Sequence, residues 1–320
     1  MNMSFNLHSC QPAPTESAAA KAKEKKTLRL TVPSWQGGTL PLYSFGSQLL
    51  TALAPPTTGP QAQVIVTPPE KTLLPLTKTN GVNALHENLA NLKNAIAICE
   101  KYNPDNIVVL GGDCLAELGP FAYLAHKYRK EKFGVLWIDA HPDIMNSKDW
   151  SNAHTYPVSA LLGKGDAEFV DLVKTPVPAS RVMLAGMHTP SKVEQQHIDD
   201  YGVRVCGPEA ILKDGGTDVL RWIEAEGITH VTIHLDLDVL SDQYFHLLYF
   251  CNPDAPKGAY DGIPRGKLRF KDVAALVKAV SGKTQVVGFG ITELLPWDVY
   301  NFREFLKELP LVNPNYDAKL

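Results

Sequence analysis

The chain has 320 residues, 44% of them hydrophobic and 20% charged, and a formal net charge of -3 at pH 7. This length can fill the core of one large domain or two small ones. Charges of both signs are interspersed, so the sequence lacks the basic face of a nucleic-acid-binding protein and favours a small-molecule partner.

The cysteines and the apolar runs indicate the cellular compartment. The five cysteines are widely scattered and odd in number, which is not the pattern of a disulfide-stabilised secreted protein. No apolar run approaches the roughly 20 residues of a membrane-spanning helix, and no signal peptide is recognisable. We therefore expect a cytoplasmic protein without membrane contact. Residues 1–26, rich in Pro, Ala, Ser and Lys, should form a mobile leader before a single domain over 27–320.

After the leader, short β-rich runs alternate with helical stretches. We predict about eight strands, over 28–32, 63–67, 106–110, 134–138, 181–185, 203–206, 230–235 and 285–288. Apolar residues spaced three and four apart predict a helix over 85–102, and similar runs cover 115–130, 217–225 and 270–280, with Gly227 and Gly282 as stops. This alternation is typical of an α/β fold, a central parallel sheet between two layers of helices. The long Pro- and Gly-rich stretch 252–266 is expected to be a functional loop at one end of the sheet.

Candidate metal ligands follow one of these strands. Asp139, His141 and Asp143 come after residues 134–138 at alternate positions. An extended backbone would point all three side chains the same way. In an open parallel sheet, ligands bind beyond the carboxyl ends of the strands, which is where these side chains would lie.

A second set of candidates lies at the end of residues 230–235. Asp236 and Asp238 alternate there, and His234 shares their face. Together the two sets place four carboxylates close to one another, and these would repel unless paired or metal-bound. Carboxylate and imidazole donors suit Mn²⁺, Fe²⁺, Ni²⁺ or Zn²⁺, and bridging carboxylates can hold two ions near one activated water. Loop capping is the alternative for any single aspartate, but it does not account for all of them at these spacings.

Two further strand ends complete a pattern that resembles a known family. Residues 111–114 read Gly-Gly-Asp-Cys, and Glu293 follows the last predicted strand. With Asp-Ala-His-x-Asp and Asp-x-Asp between them, these motifs resemble those of the ureohydrolases, which include arginase and agmatinase. The resemblance covers nearly all of the chain after the leader. It implies an arginase-like fold and hydrolysis of a linear guanidino or amidino C–N bond, with release of urea and an amine.

The resemblance also implies a divalent metal cofactor and its ligands. Asp139 and Asp236 would bridge two ions, Asp143 would bind the first ion, and His141 and Asp238 would bind the second. Mn²⁺ is the ion that the resemblance favours. A homo-oligomer, trimeric or hexameric, is a further expectation from the family.

Substrate contacts and proton transfer are implied in the same way. Glu293 would hold the guanidinium, because a carboxylate can accept two parallel hydrogen bonds from that planar cation. Residues 152–159 resemble the loop that follows the metal motif in arginases, which implies Asn152 as a substrate contact and His154 as a proton shuttle. With the bridging Asp139, Glu293 and His154 form the expected catalytic set. A loop histidine by itself is more often a surface residue.

Cys114 is the main departure from the family, since it stands where the family has a histidine ligand to the first ion. As a thiolate ligand it would bring a soft donor and favour Zn²⁺, Fe²⁺ or Ni²⁺ over Mn²⁺. As a small buried side chain that only fills space, it would leave the first site weak. The sequence leaves both possibilities open.

Other departures concern the substrate. Residues 185–189 lack the acidic side chains with which arginases hold the α-amino group of arginine, and residues 239–243 lack the usual Asp-Pro turn. A formimino or other amidino substrate, a catalytically silent relative and a mononuclear amide hydrolase are the alternatives. For His234 the choices are an extra ligand or a group that orients a carboxylate ligand, and we predict the second.

Overall fold

A parallel sheet crosses the part of the chain that the computed structural model describes, residues 25–309. The strands of this range are β1 (Thr27–Val32), β2 (Gln61–Gln63), β3 (Lys78–Thr79), β4 (Val82–Asn83), β5 (Asn106–Gly111), β6 (Phe133–Ile138), β7 (Val182–Ala185), β8 (Arg204–Cys206), β9 (His230–Asp236) and β10 (Gln285–Thr292). Eight of them form the sheet in the order β2-β1-β5-β10-β9-β6-β7-β8, and all neighbouring pairs are parallel. The hairpin of β3 and β4 is separate and antiparallel.

Helices cover both faces of this sheet. Between residues 25 and 309 they are α1 (Leu42–Leu53), α2 (Leu85–Tyr102), α3 (Leu118–Lys127), α4 (Pro157–Leu161), α5 (Ala167–Val170), α6 (Lys192–Tyr201), α7 (Pro208–Asp214), α8 (Thr217–Glu226), α9 (Phe270–Ser281) and α10 (Trp297–Lys307). Apolar side chains of α2 to α6 pack in one core and those of α7, α8 and α9 in a second core. The expected three-layer α/β/α fold is confirmed.

Strand β6 shows why this sequence forms a central strand. All six of its residues are buried. Val135 and Trp137 belong to the core on one side of the sheet, and Leu136 and Ile138 belong to the core on the other. A parallel strand covered on both faces has no polar side, so its sequence is a continuous apolar run rather than an alternating one.

Six of the predicted strands are confirmed with a shift of one residue at one end, 285–288 is four residues too short because β10 continues to Thr292, and 63–67 is wrong. The strand there is β2, and it shares only Gln63 with the prediction. Val64 donates its backbone N–H to the Thr31 carbonyl at 2.9 Å, after which the chain leaves the sheet toward Pro68. Proline has no N–H to donate and therefore cannot extend the ladder.

Among the helices, α2 spans the predicted residues, while the prediction for 115–130 is partly wrong. Residues Cys114–Glu117 form a 3₁₀ turn, and α3 begins only at Leu118. This start places Pro120 in the first turn of α3, where its missing N–H is tolerated. Gly227 ends α8 in the left-handed conformation, and Gly282 follows the end of α9, as expected. Helices α1, α4, α5, α6, α7 and α10 were not predicted.

Several other expectations fall at the edges of the described range. The predicted leader lies outside it apart from Lys25 and Lys26, and the Lys26 carbonyl accepts hydrogen bonds from the backbone of Asp105 and Asn106. Within residues 25–309 no helix has both the length and the apolar character needed to cross a membrane. The four cysteines of that range are free, as the sequence indicates.

A close backbone crossing joins the ends of β5 and β10. Gly112, just after β5, accepts a hydrogen bond from the backbone N–H of Glu293 at 2.8 Å. A Cβ at position 112 would lie 1.8 Å from the carbonyl oxygen of Ser34. Only glycine fits there. Gly112 therefore allows the backbone after β5 to lie directly against Ser34 and Glu293.

We therefore predict that Gly112→Ala destabilises the fold by about 1–3 kcal/mol, because the added methyl group must displace backbone atoms rather than a flexible side chain. Gly207→Ala is the control, since its Cβ would meet nothing nearer than 3.7 Å. Urea unfolding of the two variants measures the difference. Equal midpoints would show that the crossing tolerates a side chain.

Candidate metal centre and active site

Four neighbouring strands deliver side chains to one edge of the sheet. Strands β5, β10, β9 and β6 lie side by side in that order. Cys114 follows β5, Glu293 follows β10, Asp236 is the last residue of β9, and Asp139 follows β6. All four side chains are buried. The convergence predicted from the strand ends is present.

These residues and their neighbours form three sets that could each hold a metal ion. In each set, one ligand atom from every residue lies within 4.8 Å of the others: Cys114, Asp139, Asp143 and His234; Cys114, Asp236 and Glu293; Asp139, His141 and Asp238. Asp139 is common to the first and third sets, and Cys114 is common to the first and second. The sets therefore make one continuous cluster, and it includes every ligand predicted from the sequence.

The backbone brings the alternate side chains together by turning, not by the extended geometry expected from the sequence, so that expectation is wrong. The Asp139 side chain accepts the backbone N–H of His141 at 2.6 Å, and the Asp236 side chain accepts that of Asp238 at 2.6 Å. Such turns form because an aspartate oxygen can replace a backbone acceptor two residues earlier. Asp236 thus caps a 3₁₀ turn with one oxygen, while its other oxygen faces Cys114 at 3.1 Å.

Two of the candidate residues have strained backbones. Asp143 has a φ of 45° and Glu293 a φ of 64°, in the left-handed region that non-glycine residues rarely adopt. A residue held in such a conformation costs roughly 1–3 kcal/mol, and this strain is concentrated at functional sites. Both residues lie in the cluster, so the strain favours a functional role for their side chains.

The carboxylates of the cluster repel one another. Burial raises the pKa of Asp143 well above its usual value, and the charge of Asp139 adds to the effect. Burial and the charges of Asp238 and Asp139 likewise raise the pKa of Asp236. For Asp139 burial acts the same way, but the nearby imidazoles of His141 and His234 outweigh it and lower the pKa. The cluster therefore favours a bound proton or a bound cation.

Two buried atoms of the cluster that lack hydrogen-bond partners are of the kinds that bind metal ions. The buried Asp143 Oδ2 and His234 Nε2 have no hydrogen-bond partner, and an unsatisfied buried polar atom costs about 1–3 kcal/mol. A carboxylate oxygen and an imidazole nitrogen are both ordinary ligands of divalent transition metals. The donor set fits a divalent ion.

Cys114 lies among oxygen atoms. Its Sγ donates to Asp236 Oδ2 at 3.1 Å and to Glu293 Oε1 at 3.7 Å, and it is 3.6 Å from Thr292 Oγ1. Burial and these negative neighbours raise its pKa well above the usual value. A cysteine that only filled core space would have apolar neighbours, so these contacts favour a polar role.

His141 forms the open side of the centre. Its Nδ1 is 2.9 Å from Asp238 Oδ2 and 3.7 Å from Asp139 Oδ1, and its side chain is 26% exposed. The set of Asp139, His141 and Asp238 therefore borders solvent, whereas the set with Cys114 and His234 is buried. A substrate would reach the centre from the His141 side.

The residues predicted to handle substrate lie beside the cluster. His154 Nδ1 is 3.5 Å from Glu293 Oε1. Burial lowers the pKa of His154, but the hydrogen bond and charge of Glu293 outweigh burial and raise it to about 9. Asn152 uses its side chain differently: its Oδ1 accepts from Asn83 Nδ2 at 2.8 Å, and its Nδ2 donates to Thr39 Oγ1 at 3.4 Å. Its substrate contact stays a prediction.

Sequence reasoning missed several buried residues at this edge. Glu117 Oε2 is 3.0 Å from His234 Nδ1, and Trp137 Nε1 donates to Asp139 Oδ2 at 3.1 Å. Asp113 accepts from Ser34 and Gly38, and burial raises its pKa to about 6. The available signal was Glu117 itself, a lone charge in an otherwise apolar run.

Comparison with known proteins identifies the family. The profile described as Arginase family matches residues 63–246, more than half of the chain. The chain belongs to the arginase family.

Individual arginases are distant relatives. The arginase of Entamoeba histolytica is 27% identical over 174 residues, which are 53% of this chain and 58% of that protein. The arginase of Bacillus caldovelox is 30% identical over 141 residues, 42% of this chain and 46% of that protein. The chain thus matches about half the length of the curated arginases.

Solved structures of arginase-family proteins share the fold over a longer range. The Entamoeba histolytica arginase complexed with L-ornithine superposes with a TM-score of 0.71 at 17% identity, covering 85% of this chain and 91% of that one. A formimidoylglutamase from Bacillus subtilis superposes with a TM-score of 0.61 at 15% identity, covering 86% and 81%. The arginase-like fold expected from the motifs is confirmed.

We predict that divalent ions stabilise this protein through Asp139, which belongs to two ligand sets. An ion at 100 times its Kd adds about 2.7 kcal/mol, so chelation should lower the Tm by several degrees and added Mn²⁺ or Zn²⁺ should restore it. Asp139→Asn should lose most of this response, while Asp218→Asn, an exposed residue paired with Arg221, should keep it. Thermal unfolding with and without ions measures the effect, and a Tm indifferent to every ion would contradict a metal centre.

Proposed function

We propose that this arginase-family chain hydrolyses a linear guanidino or amidino C–N bond of a small molecule with the help of two divalent ions. A guanidino substrate would yield urea and an amine. The observation that carries the proposal is the cluster in which Asp139 belongs to two ligand sets beside the pair of Glu293 and His154. Family membership supports the reaction class. A cytoplasmic homo-oligomer, trimeric or hexameric, remains the accompanying expectation.

The proposal assigns each ligand to an ion. Cys114 and Asp143 would hold the first ion, His141 and Asp238 would hold the second, and Asp139 and Asp236 would contribute to both. The sharing of Asp139 between two sets supports its assignment to both ions, whereas Asp236 groups with Cys114 and Glu293, and its assignment to both ions rests on the resemblance of the motifs. When bound, the ions supply a water of lowered pKa that can act as the nucleophile near neutral pH.

Glu293 is assigned to the substrate. Its carboxylate lies 3.5 Å from His154 Nδ1 and 3.7 Å from Cys114 Sγ, so it adjoins both the metal cluster and the loop histidine. A carboxylate can accept two parallel hydrogen bonds from a planar guanidinium, which orients the central carbon. The left-handed backbone at this residue keeps the carboxylate aimed at the cluster.

His154 is assigned to proton transfer. Its ring is partly exposed, with 24% of the side chain accessible, and its Nδ1 faces Glu293. A guanidinium bound to Glu293 would place its leaving nitrogen next to this imidazole, which can donate the proton that the amine needs as it departs. The ligand assignment proposed here uses neither residue, so a silent relative would have no chemical use for the pair.

We assign the other end of the substrate to a cavity in the same part of the molecule. It has a volume of about 700 Å³ and follows the ends of β7 and β9, with polar lining residues His188, Thr189, Ser191, Glu194, Asp242, Gln243, Arg265 and Lys267. Glu194 and Asp242 are the acidic residues of this lining, and the Glu194 carboxylate also accepts the backbone N–H of Ser191. Asp242 Oδ2 is 2.5 Å from Arg265 Nη1, so the wall carries both signs of charge. A linear substrate with a polar or charged tail fits this cavity better than free guanidine does.

We predict that, in a panel of arginine, agmatine, guanidinobutyrate, guanidine and formiminoglutamate, a tailed compound gives the highest kcat/KM. The reason is that tail contacts in the cavity contribute binding energy that guanidine cannot use. Urea or formamide release by protein loaded with Mn²⁺, Zn²⁺ or Co²⁺ is the measurement. No turnover with any compound and any ion would favour the silent-relative alternative.

We predict that Glu293→Gln leaves metal content and Tm nearly unchanged but lowers kcat/KM by about 10²-fold or more, because the neutral amide keeps the shape and loses the charge-assisted pair. Glu100→Gln is the matched control, since Glu100 pairs with Lys174 on the surface. Steady-state kinetics on the best substrate compare the two. An unimpaired Glu293→Gln enzyme would remove this residue from the mechanism.

A further inference from the structure

We propose that His234 is the imidazole ligand of the first metal site, which it completes with Cys114, Asp139 and Asp143. This replaces the expectation that His234 only orients a carboxylate. The inference rests on the metal-binding part of the proposed function, and it is independent of the reaction. It assigns a mixed site of one thiolate, one imidazole and the carboxylates of Asp139 and Asp143, to which the Asp236 proposed above would add a third.

The first observation is the free nitrogen of His234. The residue is 0% exposed, and its Nε2 has no hydrogen-bond partner. That ring lies in the set whose ligand atoms, from Cys114, Asp139, Asp143 and His234, are all within 4.8 Å of one another. A buried ring nitrogen without a partner is costly, and a metal ion among these four atoms would satisfy it.

The second observation is the group on the other ring nitrogen. His234 Nδ1 is 3.0 Å from Glu117 Oε2, and Glu117 is also 0% exposed. A carboxylate beside Nδ1 accepts a hydrogen bond from the Nδ1–H, and in that tautomer the Nε2 lone pair is free for a metal. Metal-binding histidines in proteins usually donate a hydrogen bond from their other ring nitrogen to a carboxylate or a similar acceptor.

The neighbouring strands are shaped around this pair. In register, His234 of β9 lies between Gly290 of β10 and Trp137 of β6. On the first side, a Cβ at Gly290 would lie 1.9 Å from Glu117 Oε1, so only glycine admits the Glu117 carboxylate. On the second side, the Trp137 ring stacks on the imidazole with centroids 3.6 Å apart and planes 13° apart. The imidazole is thereby held in one orientation.

A role limited to orienting Asp139 fits less well. His234 Nε2 is 3.6 Å from Asp139 Oδ2, which is longer than a hydrogen bond of about 2.7–3.2 Å. The same oxygen already accepts from Trp137 Nε1 at 3.1 Å. Two ligands at about 2.1 Å from one tetrahedral ion are separated by roughly 3.4 Å, close to the observed spacing.

The composition of the site sets its metal preference. Thiolate and imidazole donors favour Zn²⁺, Fe²⁺ or Co²⁺, whereas the set of Asp139, His141 and Asp238 has no sulfur and suits Mn²⁺ as well. The burial of Cys114 and His234 also makes the first site the enclosed one. When both Zn²⁺ and Mn²⁺ are supplied, we therefore expect the two sites to bind different ions, with Zn²⁺ in the first site.

X-ray absorption of zinc-loaded protein tests the assignment directly. The variant H141F/H154F removes the imidazoles of the other ligand set and of the Glu293 pair, so imidazole scattering from bound Zn²⁺ that disappears when His234 is also replaced comes from His234. We expect one sulfur and one imidazole around the ion in that variant, and loss of the imidazole signal when H234F is added. The phenyl ring preserves the stacking on Trp137, and H230F, at the other end of β9, is the control that should change neither metal content nor scattering.

Metal content extends the test, and its outcomes separate this inference from the proposed function. H234F should lose the first ion, and E117Q should weaken its binding by about 10–100-fold, both measured by chelator competition. Sulfur without imidazole around Zn²⁺ in H141F/H154F would overturn the assignment even if H234F does not fold. An imidazole signal from an inactive protein would keep the assignment and refute only the reaction, whereas no bound ion in the unmodified protein would refute both.

Discussion

The structure depends on a concentration of buried negative charge at the carboxyl edge of the sheet. Asp139, Asp143, Asp236 and Glu293 are all almost inaccessible to water, and in the parallel order of β5, β10, β9 and β6 they cannot avoid one another. A buried carboxylate without a counter-charge is strongly destabilising. The apolar cores packed on both faces of the sheet stabilise the fold against this destabilisation. Divalent cations bound at this edge would offset the repulsion among the carboxylates, because each carboxylate would be attracted to an ion.

The strained and crowded positions around the cluster have the same explanation. Asp143 and Glu293 occupy left-handed backbone conformations, and Gly112 and Gly290 sit where no side chain fits. Strands set these positions more rigidly than loops would, and a reaction that needs ions, substrate and a proton donor in fixed places requires that rigidity. The partly exposed His141 leaves one side of the cluster open to a small molecule.

The sequence predicts the cluster because parallel strands end at one edge, so local motifs such as Asp139-x-His141 become neighbours whatever the loops do. Helix α2 could also be predicted from the sequence, since its pattern of apolar residues is local. The contact between Glu117 and His234 could not be predicted, because it joins residues 117 apart in the chain through space that Gly290 leaves free. The turns at Asp139 and Asp236 were missed because the alternating pattern assumes an extended backbone. In each turn the aspartate side chain accepts the backbone N–H two residues later, and this bends the chain.

Anomalous diffraction from crystals grown with Mn²⁺ and Zn²⁺ tests the central claim, that this edge of the sheet is a binuclear metal centre. The account predicts two peaks that share Asp139: one enclosed by Cys114, Asp143 and His234, strongest at the zinc edge, and one beside His141 and Asp238. Data that show no anomalous density between these residues, with carboxylates still hydrogen-bonded to the protonated Cys114 thiol, would contradict it.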